Sequence, residues 1–201
     1  MEIWIATGNQ GKLREFERLL TNFESGKFQI KSIKDLPTFT PRPEDGKTFV
    51  ENARIKAKSL RAMKNSNWII GEDSGLEVEG LGNLPGIHSA RYAGAHAKDT
   101  ENCLKVLKML HLKAASTRKA VFKSTLVVYS PNGEEFIFEG DLKGEIAKSM
   151  RGTEGFGYDP IFVPDGESKT ISELGLAAKN KFSHRAKAIE KMLSTLSEKF
   201  I

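Results

Sequence analysis

Ile3-Trp4-Ile5-Ala6-Thr7-Gly8-Asn9-Gln10-Gly11-Lys12-Leu13 reads as strand, turn and helix in quick succession. The run from Ile3 to Ala6 is apolar and of strand type. After the turn, Leu13, Phe16, Leu19 and Leu20 recur at the spacing of one helix face. Such a turn leaves N–H groups at a helix start without intrahelical partners, and the helix dipole adds partial positive charge there. Gly8 and Gly11 let a ligand approach the backbone closely, and Lys12 adds a full charge. Thr7, Gly8, Asn9, Gln10, Gly11 and Lys12 therefore form a candidate phosphate cradle. The spacing matches neither the Gly-x-x-x-x-Gly-Lys-Ser/Thr loop nor the Gly-x-Gly-x-x-Gly fingerprint. A plain strand-to-helix turn with a solvated lysine is the alternative, because Gly and Asn are common in turns.

Beyond this unit, residues 28–33 alternate as a second strand, and residues 35–43, with three prolines, read as a loop. A helix is expected over 48–64, with Phe49, Ala53, Leu60 and Met63 on its apolar stripe. Trp68-Ile69-Ile70 is a buried-strand candidate, and residues 76–78 either continue it or return beside it. Residues 80–94 are glycine-rich and irregular. A helix over 100–112 offers Leu104, Leu107 and Leu110 for packing. Residues 120–129 and 135–139 read as strands joined by the turn Ser130-Pro131-Asn132-Gly133, with 144–147 extending the ribbon. The last helix begins at Ser183, a good N-cap, and carries Ala186, Ile189, Leu193, Leu196 and Phe200 at spacings of three and four. Strand–helix units together with a long hairpin argue for an α/β protein with a mixed sheet.

The length of 201 residues suits one domain, or two lobes sharing a core. No apolar run approaches the roughly 20 residues of a membrane helix. The N-terminus lacks the regions of a signal peptide, and the single cysteine, Cys103, excludes an intramolecular disulfide and reads as a small core residue. These features favour the cytoplasm. The net charge of +5 is spread along the chain without a basic run. It suits a small polyanion, a nucleic acid or a merely solvated surface equally well.

Three polar segments interrupt the regular plan. Glu44-Asp45-Gly46-Lys47-Thr48 enters the second helix. Gly71-Glu72-Asp73-Ser74-Gly75 follows the strand at Ile70, and strand ends are where α/β proteins bind ligands. A carboxylate pair followed by Ser and Gly is poor strand material. It is either a turn with solvated acids or a set of oxygen ligands, with Glu44, Glu72 and Asp73 suited to a hard cation such as Mg²⁺. Lys56 falls on the apolar stripe of the second helix, where a lysine either snorkels past the core or points into a site, snorkelling being the commoner outcome. The third segment is Gly155-Phe156-Gly157-Tyr158-Asp159-Pro160-Ile161-Phe162. An aromatic between two glycines suits stacking on a planar base, and a buried loop of core aromatics is the alternative. Downstream come Lys179 and then Ser183-His184-Arg185. Cations in a first helical turn are disfavoured by the dipole, so His184 and Arg185 are expected to face an anion or a carbonyl oxygen.

Taken in order, these segments resemble the inosine triphosphate pyrophosphatase family. The resemblance rests on Thr7 to Lys12, Thr48-Phe49-Val50-Glu51-Asn52-Ala53, Asp73-Ser74-Gly75-Leu76, Leu84-Pro85-Gly86-Ile87-His88-Ser89-Ala90-Arg91-Tyr92, Gly155 to Phe162 and Ser183-His184-Arg185. It implies an elongated mixed α/β fold of two lobes around a central cleft, usually as a homodimer. It further implies Mg²⁺-dependent hydrolysis of the noncanonical purine nucleotides ITP, dITP and XTP to the monophosphate and pyrophosphate. On this likeness Asp73 is the catalytic base, Glu44 and Asp73, with Glu72 less directly, are the metal ligands, and Thr7 to Lys12 with Lys56 hold the triphosphate. Ser74 is a substrate contact. Phe156 stacks on the base, Gly157, Tyr158 and Asp159 line its edge with Lys179 nearby, and His184 and Arg185 donate to the purine 6-oxo group. Many bacterial members carry two aspartates where this chain has Glu72-Asp73. Neither a nucleic acid nor a membrane is implied. The competing expectations are a related pyrophosphatase for other modified or pyrimidine nucleotides and a basic nucleic-acid-binding module.

Overall fold

The computed structural model describes residues 1–23 and 28–200. The strands are β1 (Glu2–Ile5), β2 (Gln29–Ser32), β3 (Trp68–Val78), β4 (Leu84–Pro85), β5 (Lys119–Tyr129), β6 (Glu135–Ile146) and β7 (Phe162–Pro164). The helices are α1 (Gln10–Phe23), α2 (Phe49–Arg61), α3 (Asp99–Leu112), α4 (Ile171–Leu174), α5 (Leu176–Phe182) and α6 (His184–Leu196). Hydrogen-bonded strands follow the order β2-β1-β3-β5-β6-β7, with β4 on β3. The chain forms two compact units, one of Met1–Asp73, Ser124–Gly140 and Arg185–Ile201, the other of Ser74–Lys123 and Asp141–His184.

In the first unit β1 pairs in parallel with both β2 and β3, with Ile3 opposite Trp68 and Ile5 opposite Ile70. Parallel pairs need crossover connections, and α1 and α2 supply them. Alternation along the strands then sorts the core. Ile3, Ile5, Trp68, Ile70, Leu126 and Val128 pack with α1 and α6, while Trp4, Ala6, Ile69, Val127 and Tyr129 pack with Ala53, Ala57 and Leu60 of α2. Burial on both faces explains why these strands read as unbroken apolar runs. At Gly71 the sheet and α2 touch backbone to backbone, since a Cβ there would lie 2.1 Å from the Ala53 carbonyl.

The second unit has its own core, built on Leu76, Val78, Val106, Phe122, Ile161 and Phe162. In it β4 runs antiparallel to the end of β3, and β7 antiparallel to the end of β6.

The expected extension of the ribbon toward 144–147 is present, since β6 runs unbroken from Glu135 to Ile146. Three expectations change. The segment 71–75 is not a break, because β3 runs through it to Val78. On α3 the buried row is Cys103, Val106 and Leu110, with Leu104 57 % exposed, because a spacing of three, three drifts off a helix face where three, four stays on it. Met63, beyond the end of α2, is 47 % exposed and outside the stripe.

Candidate active site

The first unit gathers its charges at the C-terminal end of the β1–β3 pair. Asn9 opens α1 by accepting the Lys12 N–H on Oδ1 at 3.0 Å, and the Asn9 N–H in turn reaches Thr7 Oγ1 at 3.2 Å. The turn is therefore pre-shaped, and the N–H groups of Gln10 and Gly11 in the first turn have no intrahelical acceptor. That is the expected anion-binding geometry.

Because β3 continues through 71–75, neighbouring residues point to opposite faces. Gly71 and Asp73 face α2; Glu72 faces α1 and α6. Glu72 is wholly buried and ringed by donors. Arg185 reaches its Oε1 through Nη2 at 2.8 Å and Nε at 3.2 Å, Ser124 Oγ donates to the same oxygen at 3.1 Å, and Lys12 Nζ lies 2.7 Å from Oε2. Arg185 also donates through Nη1 to Glu15 of α1. Burial alone would raise the Glu72 pKa, but Arg185 and Lys12 outweigh it and hold the carboxyl well below its ordinary value. Burial lowers the pKa of Lys12 even beside Glu72.

On the other face Lys56 does not snorkel. Its Nζ lies 2.7 Å from Glu44 Oε2 and 2.8 Å from Asp73 Oδ1, and it donates to the Glu72 carbonyl at 3.2 Å. Asp73 Oδ2 accepts from Asn52 Nδ2 at 3.3 Å, while Asn52 Oδ1 holds the Gly46 N–H at 2.9 Å. Asn52 thus ties the Glu44 loop to Asp73. Burial raises the Asp73 pKa against the pull of Lys56, the direction a general base needs. Lys56, despite burial, is held above its ordinary value by Asp73 and Glu44. Two hard oxygen donors converge on one cationic position here. These two carboxylates could hold a hard cation such as Mg²⁺ together with substrate oxygens and water. Among the described residues no group of three or more His, Cys, Asp or Glu is placed to hold a metal ion by itself.

The second unit carries the aromatic segment. Gly155 and Gly157 have φ of +88° and +61°, the left-handed region that favours glycine. A Cβ on Gly155 would meet Asp159 Oδ2 at 2.2 Å. That oxygen accepts the Phe156 N–H at 2.9 Å and Lys179 Nζ at 2.6 Å. The Lys179 ammonium also sits 4.3 Å from the centroid of the half-buried Phe156 ring. Buried His184 stacks on Phe122, centroids 4.8 Å apart. Ser74, beside Asp73 in the chain, is half-buried.

Two expected roles do not fit this geometry. Arg185 is 1 % exposed and its guanidinium serves Glu72 and Glu15. The anion called for at the start of α6 is thus met by the protein's own carboxylates. Tyr158 turns into the core and donates to the Ser89 carbonyl at 2.7 Å, so it anchors the loop instead of lining a base edge. Glu15, Asn52 and Ser124 are site residues that the sequence reading missed. Glu15 falls three residues after Lys12 on the same helix face. Ser124 is a hydroxyl in the middle of an apolar strand, and Asn52 stands beside Ala53 on the buried side of α2.

This arrangement can be set beside known proteins. Residues 3–195 match the sequence model described as the Ham1 family. The chain belongs to the Ham1 family. It is 55 % identical over 196 residues to a protein of Bdellovibrio bacteriovorus named dITP/XTP pyrophosphatase, covering 98 % of each chain. It is 41 % identical over 198 residues to one of the same name from Bacillus licheniformis, again over 98 % of each. Among solved structures it resembles a HAM1 protein from Coxiella burnetii with a TM-score of 0.86 and 37 % identity, over 98 % of this chain and 99 % of that one. The Staphylococcus aureus Ham1 protein gives 0.84 at 37 % identity, over 99 % and 100 %. The mixed α/β fold, a central sheet with flanking helices, is thus a Ham1 fold. No helix among the described residues is long and apolar enough to cross a membrane.

Proposed function

We propose that this protein hydrolyses noncanonical purine nucleoside triphosphates, ITP, dITP and XTP, to the monophosphate and pyrophosphate with Mg²⁺. The observation that carries the reading is the convergence of Glu44 and Asp73 on Lys56 beside the Thr7–Lys12 turn, in a chain whose relatives are named dITP/XTP pyrophosphatases.

In this reading the N–H groups opening α1, with Lys12 and Lys56, bind the triphosphate. Glu44 and Asp73 hold the metal, which when bound would offset phosphate charge and polarise the phosphorus centre. Asp73, poised by burial, orients water and accepts its proton. Ser74 contacts the substrate beside it. Little covalent work falls to the protein, since phosphoryl transfer is catalysed chiefly by positioning and charge stabilisation. Phe156 stacks on the purine, with Gly157 and Asp159 shaping its surroundings. His184 is the donor for a 6-oxo group, which adenine replaces with an amine, while Lys179, held by Asp159 against the Phe156 ring, orders the loop beside it. A donor facing a donor can discriminate by on the order of 10⁴. Arg185 acts by holding Glu72 and, through it, Lys12.

The test is pyrophosphate release from ITP, XTP, dITP, GTP, ATP, dUTP and a methylated pyrimidine triphosphate, with and without Mg²⁺. Mg²⁺-dependent release confined to ITP, dITP and XTP is expected. Preference for a pyrimidine substrate, or phosphate as the product, would overturn the reading. The homodimer and cytoplasmic location expected of the family belong to this proposal, and light scattering tests the first.

A further inference from the structure

Two successive N–H groups bracket the Cα of Phe156. Its own is held by Asp159 Oδ2 at 2.9 Å; the next, on Gly157, donates to Asp99 Oδ2 at 2.6 Å. The Gly157 carbonyl accepts from Cys103 Sγ at 3.3 Å. Asp99 and Cys103 stand four residues apart on α3, hence on one face, so the first two turns of this helix grip Gly157 at both its donor and its acceptor. The grip matters because of the sequence it acts on. Phe156 lies between two glycines with positive φ, and glycine leaves the chain many directions to choose from.

We infer that Asp99 is a positioning residue, whose carboxylate fixes the Phe156–Gly157 peptide and with it the direction in which the Phe156 ring is presented to the base. The inference rests on the proposed role of Phe156 as the purine platform. Nothing else in the site requires Asp99. It is exposed at the first position of α3 and contributes nothing to the apolar core. Without it the Gly-Phe-Gly segment loses its restraint on one side, and only a fraction of molecules present the ring correctly. Apparent affinity falls by that fraction, while the chemistry in the molecules that do bind is unchanged.

The experiment measures kcat and KM for ITP in Asp99→Ala, Asp99→Asn, Phe156→Ala and the double variant Asp99→Ala/Phe156→Ala. A lost charge-assisted hydrogen bond predicts a KM about tenfold higher in Asp99→Ala, with kcat within about twofold of wild type. Asp99→Asn keeps an acceptor oxygen and should restore most of the affinity. If Asp99 works through Phe156, the double variant is no worse than Phe156→Ala alone. A wild-type KM in Asp99→Ala overturns the inference, as does a loss that multiplies in full on top of Phe156→Ala. Should Phe156→Ala itself leave KM unchanged, the stacking role falls and the inference with it, an outcome distinct from the other two.

Discussion

Replacing Arg185 with alanine should damage stability before it damages selectivity. The guanidinium is the shared partner of two buried carboxylates, Glu72 and Glu15. Its removal leaves both without their main counter-charge, and breaking a buried pair in this way costs about 3–5 kcal/mol. For a chain of this size each kcal/mol lowers Tm by roughly 2–4 °C, so a drop on the order of 6–20 °C is expected by calorimetry at pH 7. The pH dependence has a definite sign. Although burial opposes it, Arg185 and Lys12 hold the folded-state pKa of Glu72 well below 4.5. Stability from a depressed carboxylate is fully present above the unfolded value and lost as pH falls through the folded one. The Tm gap between variant and wild type is therefore full at neutral pH and narrows below about pH 4.5. Turnover of ITP and ATP should fall by similar factors, because the damage passes through Glu72 and Lys12 to the phosphate end. A Tm within about 2 °C of wild type, combined with a loss specific to ITP, would refute this reasoning and return Arg185 to base recognition.

Three further outcomes follow from the other face of β3. Asp73→Asn keeps the Asn52 contact and the shape but removes the proposed base, so kcat should fall by on the order of 10²–10⁴ in a protein with unchanged circular dichroism; near-normal kcat would remove Asp73 from the chemistry. Glu44→Gln should raise the Mg²⁺ concentration needed for half-maximal rate, and a titration matching wild type would exclude Glu44 as a ligand. Lys56→Met retains the stem and loses the ammonium between Glu44 and Asp73, with an expected loss in kcat of roughly tenfold or more. Unchanged kinetics would mean the lysine only neutralises its neighbours.

Much of the first unit was legible because its strands are buried on both faces and its helices are amphipathic. Ile3 to Ala6 and Leu13, Phe16 and Leu20 fall where their pattern puts them. The segment 71–75 was misread because propensity describes a residue alone, and here tertiary partners decide. Gly71 stays in the strand because α2 packs onto its bare Cα. Glu72 and Asp73 stay because Arg185, Lys12 and Lys56 neutralise them. Had the strand been carried through, alternation would have sent the two acids to opposite faces and separated their roles. Arg185 illustrates the complementary limit. The unfavourable dipole at the start of α6 correctly called for an anion, but sequence could not say whether that anion belonged to a ligand or to the protein. Lys56 could be placed on a stripe, yet only packing shows that its stem passes the core toward Asp73.

The split across β3 also bears on where a divalent cation would go. On the α1–α6 face, two carboxylates, Glu72 and Glu15, meet two cations, Lys12 and Arg185, so the cluster is already neutral. Glu72 Oε1 already takes Arg185 twice and Ser124, and its Oε2 is ion-paired with Lys12 at 2.7 Å. A metal ion there would displace one of these partners and then face both cations at close range. On the α2 face, Glu44 and Asp73 both lie against the Lys56 ammonium, and the Glu44 side chain is 37 % exposed. A carboxylate open to solvent and to an arriving cation thus lies on that side, and the proposed metal set contracts to Glu44 and Asp73. Glu72 then has a different task. It is the buried anion that holds Lys12, at 2.7 Å, on the turn proposed to bind phosphate. A triphosphate arriving there competes with Glu72 for Lys12, and Arg185 remains to keep the buried carboxylate from being left without a partner.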